Sequence, residues 1–250
     1  MTLGIEMADL NLESVSIEQL RELLAEHGVL ILPNQPVDDQ RFLAFLRRFG
    51  ELMFTEGETP VPDCPDLNVI SNVGRSTPPK STFHVDTTYI PNPPAYTALR
   101  AVEVPAAGGS TLFSDQYAAY ETLPAEMKEH LAGRTVTHRV TGVASDSDSS
   151  ADHPLFAVHP ISGRTALSLS APARCVAISG LTEDEARDTV RYLVEHSTRE
   201  DNLLRHNWSP DDMVMWDIRC VMHRADHSGV VGNRVMHRGM VASTHPTVSV

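Results

Sequence analysis

The chain has 250 residues, 41% of them hydrophobic, and a formal net charge of −13, which supports a sizeable core and leaves no basic footprint for a nucleic-acid partner. Its cysteines, Cys64, Cys175 and Cys220, have no paired spacing, so neither a disulfide framework nor a thiolate zinc site is expected. Residues 1–14 lack a basic stretch followed by an apolar core, and no apolar run approaches bilayer length, so the expectation is a soluble cytoplasmic protein that binds small molecules and no membrane.

Ser16-Ile17-Glu18-Gln19 predicts a capping box, the spacing of Ile17, Leu20, Leu23 and Leu24 a helix, and Gly28 its stop. Val29–Leu32 reads as a buried strand ended by Pro33, and Asp38 or Asp39 opens a second helix through Phe42, Phe45, Leu46 and Phe49 to Gly50. Thr59–Pro65 is expected as a loop, Leu67–Ile70 as a short strand and Asn72–Lys80 as a turn-rich approach to Thr82–Tyr89. The β-branched and aromatic composition of that last run predicts a strand. Tyr96–Val104 and Ser110–Phe113 read as antiparallel neighbours joined by the turn Pro105–Gly109, and Asp115–Tyr120 and Pro124–Leu131 as helices. Thr135–Val140 is extended. Val143–His153, rich in Ser and Asp, is too polar to pack and reads as a mobile surface loop or active-site lid. Strands at Phe156–His159 and Thr165–Leu169 flank the turn Pro160–Gly163, and Thr182 caps a helix to His196. Short β-like runs follow at Asn202–Asn207, Met213–Trp216, Arg219–His223 and Arg234–Val241. With no repeat and no linker, the pattern predicts a single domain, mainly β with flanking helices, as an antiparallel sandwich or jelly roll.

The chemistry centres on His84 and Asp86. On a strand, residues two apart project to one face, so imidazole and carboxylate can reach one point. A third donor is available far along the chain in His223. Two histidines and one carboxylate suit a non-haem Fe(II) oxygenase, and also a catalytic zinc. Arg234 and Arg238 share a face of their β-like run; if that face is interior, each guanidinium must meet an anion, whereas solvent exposure or pairing with Asp217 is the plainer alternative. His227 follows His223 at helical ligand spacing, but Gly229 and Gly232 favour a turn and a surface position. His159 and His237 read as structural.

The runs Phe83-His84-Val85-Asp86, Gly108-Gly109-Ser110-Thr111-Leu112, Val158-His159-Pro160-Ile161-Ser162-Gly163-Arg164 and Met215-Trp216-Asp217-Ile218-Arg219 through His223 occur in this order, with Arg234 and Arg238 beyond them. On these motifs the chain resembles, from about Leu20 to Val241, the taurine dioxygenase and 2,4-dichlorophenoxyacetate dioxygenase family of Fe(II)- and 2-oxoglutarate-dependent oxygenases. The resemblance implies a double-stranded β-helix in which His84, Asp86 and His223 hold Fe(II), while Thr111 and Arg234 bind the distal carboxylate of 2-oxoglutarate. It places Arg238 against the substrate's anionic group or the cosubstrate, and Trp216 as a pocket wall. The implied reaction uses O2 to couple oxidative decarboxylation of 2-oxoglutarate to succinate and CO2 with hydroxylation, or related C–H oxidation, of a small carboxylate or sulfonate.

Retention of Asp86 argues against a halogenase, and Lys80, where taurine-oxidising members often carry Asn, argues against taurine. The segments Met53–Lys80 and Val143–His153 are expected to shape the pocket. A zinc hydrolase on the same three donors and a non-catalytic anion-binding barrel are the competing readings, and a homo-oligomer is compatible with all of them.

Overall fold

Strand β1 (Ile5–Glu6) lies parallel to β2 (Val29–Leu32), and α1 (Ile17–His27) connects them. Ser16 caps α1 by accepting the Gln19 amide, and Gly28, at φ 72°, ends it in a conformation that other residues rarely adopt. Asp38 caps α2 (Asp39–Arg47) on the Arg41 amide at 2.8 Å. After β3 (Leu52–Met53), the expected loop at Thr59–Pro65 is instead largely a hairpin: β4 (Pro60–Val61) pairs with β5 (Cys64–Ser71) across Asp63, whose φ of 63° closes the turn. Then come β6 (Pro94–Glu103), β7 (Thr111–Asp115), α3 (Gln116–Glu121), α4 (Ala125–Leu131), β8 (Thr135–Arg139) and β9 (Ser150–Pro154). A hairpin of β10 (Phe156–Val158) and β11 (Thr165–Leu167) leads to β12 (Cys175–Ile178) and α5 (Glu183–Ser197), which Thr182 and Glu185 cap reciprocally. β13 (Leu203–His206), β14 (Met213–Asp217), β15 (Val221–Ala225), β16 (Val235–Ala242) and β17 (Val248–Ser249) complete the chain. The computed structural model describes residues 2–55, 57–75, 81–141, 148–243 and 248–249.

One eight-stranded sheet runs β1-β2-β14-β6-β16-β5-β4, with β3 on β16, and a three-stranded sheet β13-β7-β15 accompanies it. The large sheet is covered on both faces, which explains its near-continuous apolar runs. On β14, Met213 and Met215 pack with Leu20, Leu24, Phe42 and Leu46 of the helices, while Val214 and Trp216 join the core shared with Phe113 of β7. Smaller sheets, β12-β8-β9 and β11-β10-β17, extend the fold. The expectation of a mainly β chain with flanking helices holds.

Three further local expectations do not. β6 and β7 are not neighbours: β6 pairs with β14 and β16, whereas β7 pairs with β13 and β15. Gly108 and Gly109, at φ 70° and 77°, carry the chain from one sheet to the other instead of closing a hairpin. Thr82–Tyr89 is not a strand; His84 makes a single bridge to His223, and Asp86–Tyr89 turns away with Thr87 at φ 54°. The third concerns Val143–His153: Ser150–Pro154 pairs with β8 and buries Ala151 and His153, an alternation hidden by the surrounding Ser and Asp. Residues 143–147 of that run, and Lys80, lie outside the described residues. Among the described residues no helix is long and apolar enough to cross a membrane.

Candidate active site

His84, Asp86 and His223 come together, one ligand atom of each lying within 4.8 Å of the other two. The His84 and His223 backbones exchange hydrogen bonds of 2.9 Å in both directions, and their rings stand 4.4 Å apart. The His84 Nδ1–H donates to the Thr82 carbonyl at 2.9 Å, which turns Nε2 towards Asp86 Oδ1, 3.6 Å away. Asp86 is oriented through both oxygens, accepting from the Thr97 hydroxyl at 3.0 Å and from Arg238 at 3.1 Å. Burial pushes its carboxyl up, but Arg238, His223 and His84 outweigh burial and hold it well below the usual carboxylate range. Burial, with His84 and Arg238, pushes His223 down to about 3 against the pull of Asp86. An ionised carboxylate beside a neutral imidazole is the state in which these groups donate to a cation, and a donor set of nitrogen and oxygen without sulfur fits Fe(II).

Next to the triad a cavity of about 160 Å³ is lined by Ile70, Leu99, Thr111, Trp216, His223 and Arg234 among others. Strands of both sheets contribute, so it lies between them. Arg234 is 2% exposed, donates from Nε to the Gly109 carbonyl at 2.8 Å and from Nη2 to the Thr111 hydroxyl at 3.2 Å, and has no carboxylate in ion-pairing range among the described residues. Burial alone pushes it down to about 10. The Thr111 oxygen also accepts the Trp208 indole N–H at 3.0 Å; with two donors already on that oxygen, its own proton is free to serve a ligand. Gly109 is required here: its φ is positive, and a Cβ would sit 3.1 Å from Arg234 Cδ. An uncompensated buried guanidinium beside a free hydroxyl proton is a receptor for a carboxylate.

Arg234, just before β16, and Arg238, within it, both reach the same cavity, and the pairing with Asp217 does not form. Arg238, 7% exposed, is held instead by Asp86 and by Glu58. A second cavity, of about 130 Å³, has Glu58, Asp86, Tyr89 and Arg174 in its lining. His84 and Arg238 line both cavities, so the triad sits at their junction.

The family model described as taurine catabolism dioxygenase TauD, TfdA family matches residues 2–240. The chain belongs to this family. The α-ketoglutarate-dependent 2,4-dichlorophenoxyacetate dioxygenase of Cupriavidus pinatubonensis is 30% identical, with 94% of this chain and 92% of that protein covered. The α-ketoglutarate-dependent sulfate ester dioxygenase of Pseudomonas putida is 26% identical over 97% of this chain and 86% of its own length. A solved putative α-ketoglutarate-dependent taurine dioxygenase from Burkholderia xenovorans superposes with a TM-score of 0.86 at 27% identity, covering 99% of this chain and 94% of that one. A solved AAD-2 complex with Mn(II) and N-oxalylglycine gives 0.85 at 26% identity, covering 98% and 96%. The reading of the sequence as a 2-oxoglutarate-dependent dioxygenase therefore stands, and the comparisons support neither the hydrolase nor the non-catalytic barrel.

This TauD/TfdA chain has a second group of potential ligands, His159, Asp217 and Cys220. Asp217 is fully buried but already accepts His159 Nε2–H at 3.0 Å and Arg219 Nε–H at 2.8 Å, while His159 Nδ1 accepts the Ile161 and Ser162 amides. The set is closed, and His159 is structural as expected; so is His237, whose Nδ1 lies 2.7 Å from Asp39. His227 corrects the surface expectation: the chain beyond β15 folds back and puts it, partly buried, into the cavity of Arg234. Trp216 is both pocket wall and core, its ring 4.6 Å from that of His223. Glu58, Arg174 and Trp208 were not legible as site residues, because isolated charges and aromatics in loops carry no spacing signal.

Proposed function

We propose that His84, Asp86 and His223 bind Fe(II), that Thr111 and Arg234 bind the distal carboxylate of 2-oxoglutarate, and that a small organic carboxylate, sulfonate or sulfate ester is oxidised beside them. The carrying observation is Arg234, a buried cation that meets no acidic partner among the described residues and stands in the cavity adjoining the triad. Bound Fe(II) supplies the redox chemistry that couples decarboxylation of 2-oxoglutarate and reduction of O2 to C–H oxidation. The chain's own residues orient and exclude. Arg234 and Thr111 fix the cosubstrate's far end, Thr97 and Arg238 fix the Asp86 carboxylate, and Trp216 with Leu99 and Ile70 keeps the cosubstrate cavity dry. The relatives named for 2,4-dichlorophenoxyacetate and sulfate esters act on small organic compounds that are anionic, which supports an anionic substrate here. We read the facing sheets as the double-stranded β-helix of a single domain, and three free, buried cysteines suit a reducing cytoplasm.

Anaerobic addition of Fe(II) and 2-oxoglutarate tests the reading. It requires a weak visible charge-transfer band, followed on admission of O2 by succinate release that a substrate accelerates. Absence of the band together with tight stoichiometric zinc binding would return the site to hydrolysis.

A further inference from the structure

We infer that Arg174, rather than Arg238, is the primary receptor for the substrate's anionic group; this rests on the proposed function and names the residue that selects its substrate. The sequence resemblance points to Arg238, yet that guanidinium is already neutralised between Asp86 and Glu58. Within the second cavity those three groups leave one net negative charge, so Arg238 has none to spare for a ligand. Arg174 remains. Its backbone is fixed by the turn before β12, where its amide donates to the Ala171 carbonyl at 2.8 Å. Among the described residues its guanidinium makes one hydrogen bond, from Nη1 to the Val85 carbonyl at 2.7 Å, and no ion pair. Its Nε is buried and has no partner, and the group lies 5.4 Å from the ring centroid of Tyr89.

A partly buried cation with an unused donor, on the wall of a cavity that also holds His84 and Asp86, is stabilised by an arriving anion. A planar guanidinium suits carboxylate, sulfonate and sulfate alike. Because Arg174 is tied to Val85, which stands between His84 and Asp86, an anion held there sets the rest of the substrate beside the triad. Arg174 does not line the cavity of Arg234, so cosubstrate and substrate anions have separate cationic receptors.

The test is a succinate-release screen of the Fe(II)-loaded protein with aryloxyacetates, alkyl sulfates, sulfonates, fatty acids and amino acids, each paired with its uncharged alcohol or amide. We expect turnover with anionic members only. With the best of them, Arg174→Gln raises KM by about tenfold or more while KM for 2-oxoglutarate moves by less than about twofold, and Arg174→Lys recovers part of the loss. Lys also serves should the Gln variant fail to fold, as judged by its thermal melt. Acceptance of uncharged members alone, of no member, or an unmoved substrate KM overturns the inference. So does a fall in kcat or Fe(II) affinity at constant substrate KM, which would make Arg174 a brace for Val85. Lack of the Fe(II)–2-oxoglutarate band in the wild type instead sinks the proposed function, and this inference with it.

Discussion

His84 and His223 exchange backbone hydrogen bonds of 2.9 Å in each direction, so chain pairing holds two of the three candidate ligands together without help from a cation. Removing an imidazole should therefore spare the fold. His84 is partly exposed, and we expect His84→Ala to cost less than about 1 kcal/mol in the metal-free protein. Asp86 differs, because it is buried and accepts from Arg238; Asp86→Ala should cost about 3 kcal/mol. Both variants lose succinate release. Urea unfolding of the two apoproteins decides the point, and equal losses would mean that Arg238 does not depend on Asp86.

Arg234 sets stability against binding. With no acidic partner in the described residues and burial pushing it down to about 10, its charge destabilises the protein until an anion arrives. Arg234→Met should leave the melting temperature unchanged or raise it by the equivalent of about 1 kcal/mol. It should also weaken 2-oxoglutarate binding by about a hundredfold. Thermal melts with and without 2-oxoglutarate report both effects; a variant destabilised in the absence of ligand would show that Arg234 already has its counter-charge.

The ligand pair and the two arginines were legible because their types and order are constrained by chemistry. The reason given for His84 and Asp86 was nevertheless wrong in detail: the strand that should align them does not form, and a bridge followed by a turn does the same work. Pairing between distant segments was beyond reach. Nothing local says that the Gly108-Gly109 turn changes sheets, or that Glu58 would reach across to Arg238. Helix caps at Ser16, Asp38 and Thr182 were readable because each satisfies amides within its own turn.

Acid should unfold this protein through its buried imidazoles. His138 is fully buried, with Nδ1 2.7 Å from the Thr88 hydroxyl, and burial, then His153 and Arg174, pushes it down to about 3 from 6.5. The folded state thus resists a proton that the unfolded chain accepts. Its contribution is fully present above pH 6.5 and drains away as pH falls towards 3. Between pH 6.5 and 5 this one residue should account for roughly 2 kcal/mol. Urea midpoints across that interval measure the loss, and His138→Gln should flatten it by about one proton; an unchanged slope would place the acid sensitivity elsewhere.

Trp208 offers the finest test of the cosubstrate cavity. Its indole N–H occupies one lone pair of Thr111 and Arg234 the other, an arrangement that turns the threonine proton outward. Trp208→Phe keeps most of the apolar body but frees that lone pair, so the hydroxyl can rotate. The loss of one hydrogen bond is worth about 1 kcal/mol, which predicts a KM for 2-oxoglutarate raised roughly threefold to tenfold at constant substrate KM. Thr111→Val should be harsher, since it strands both donors and costs about 1–3 kcal/mol of stability besides. If Trp208→Phe leaves KM for 2-oxoglutarate untouched while Thr111→Val raises it, the hydroxyl acts without the indole's guidance. If neither moves it, Thr111 does not touch the cosubstrate.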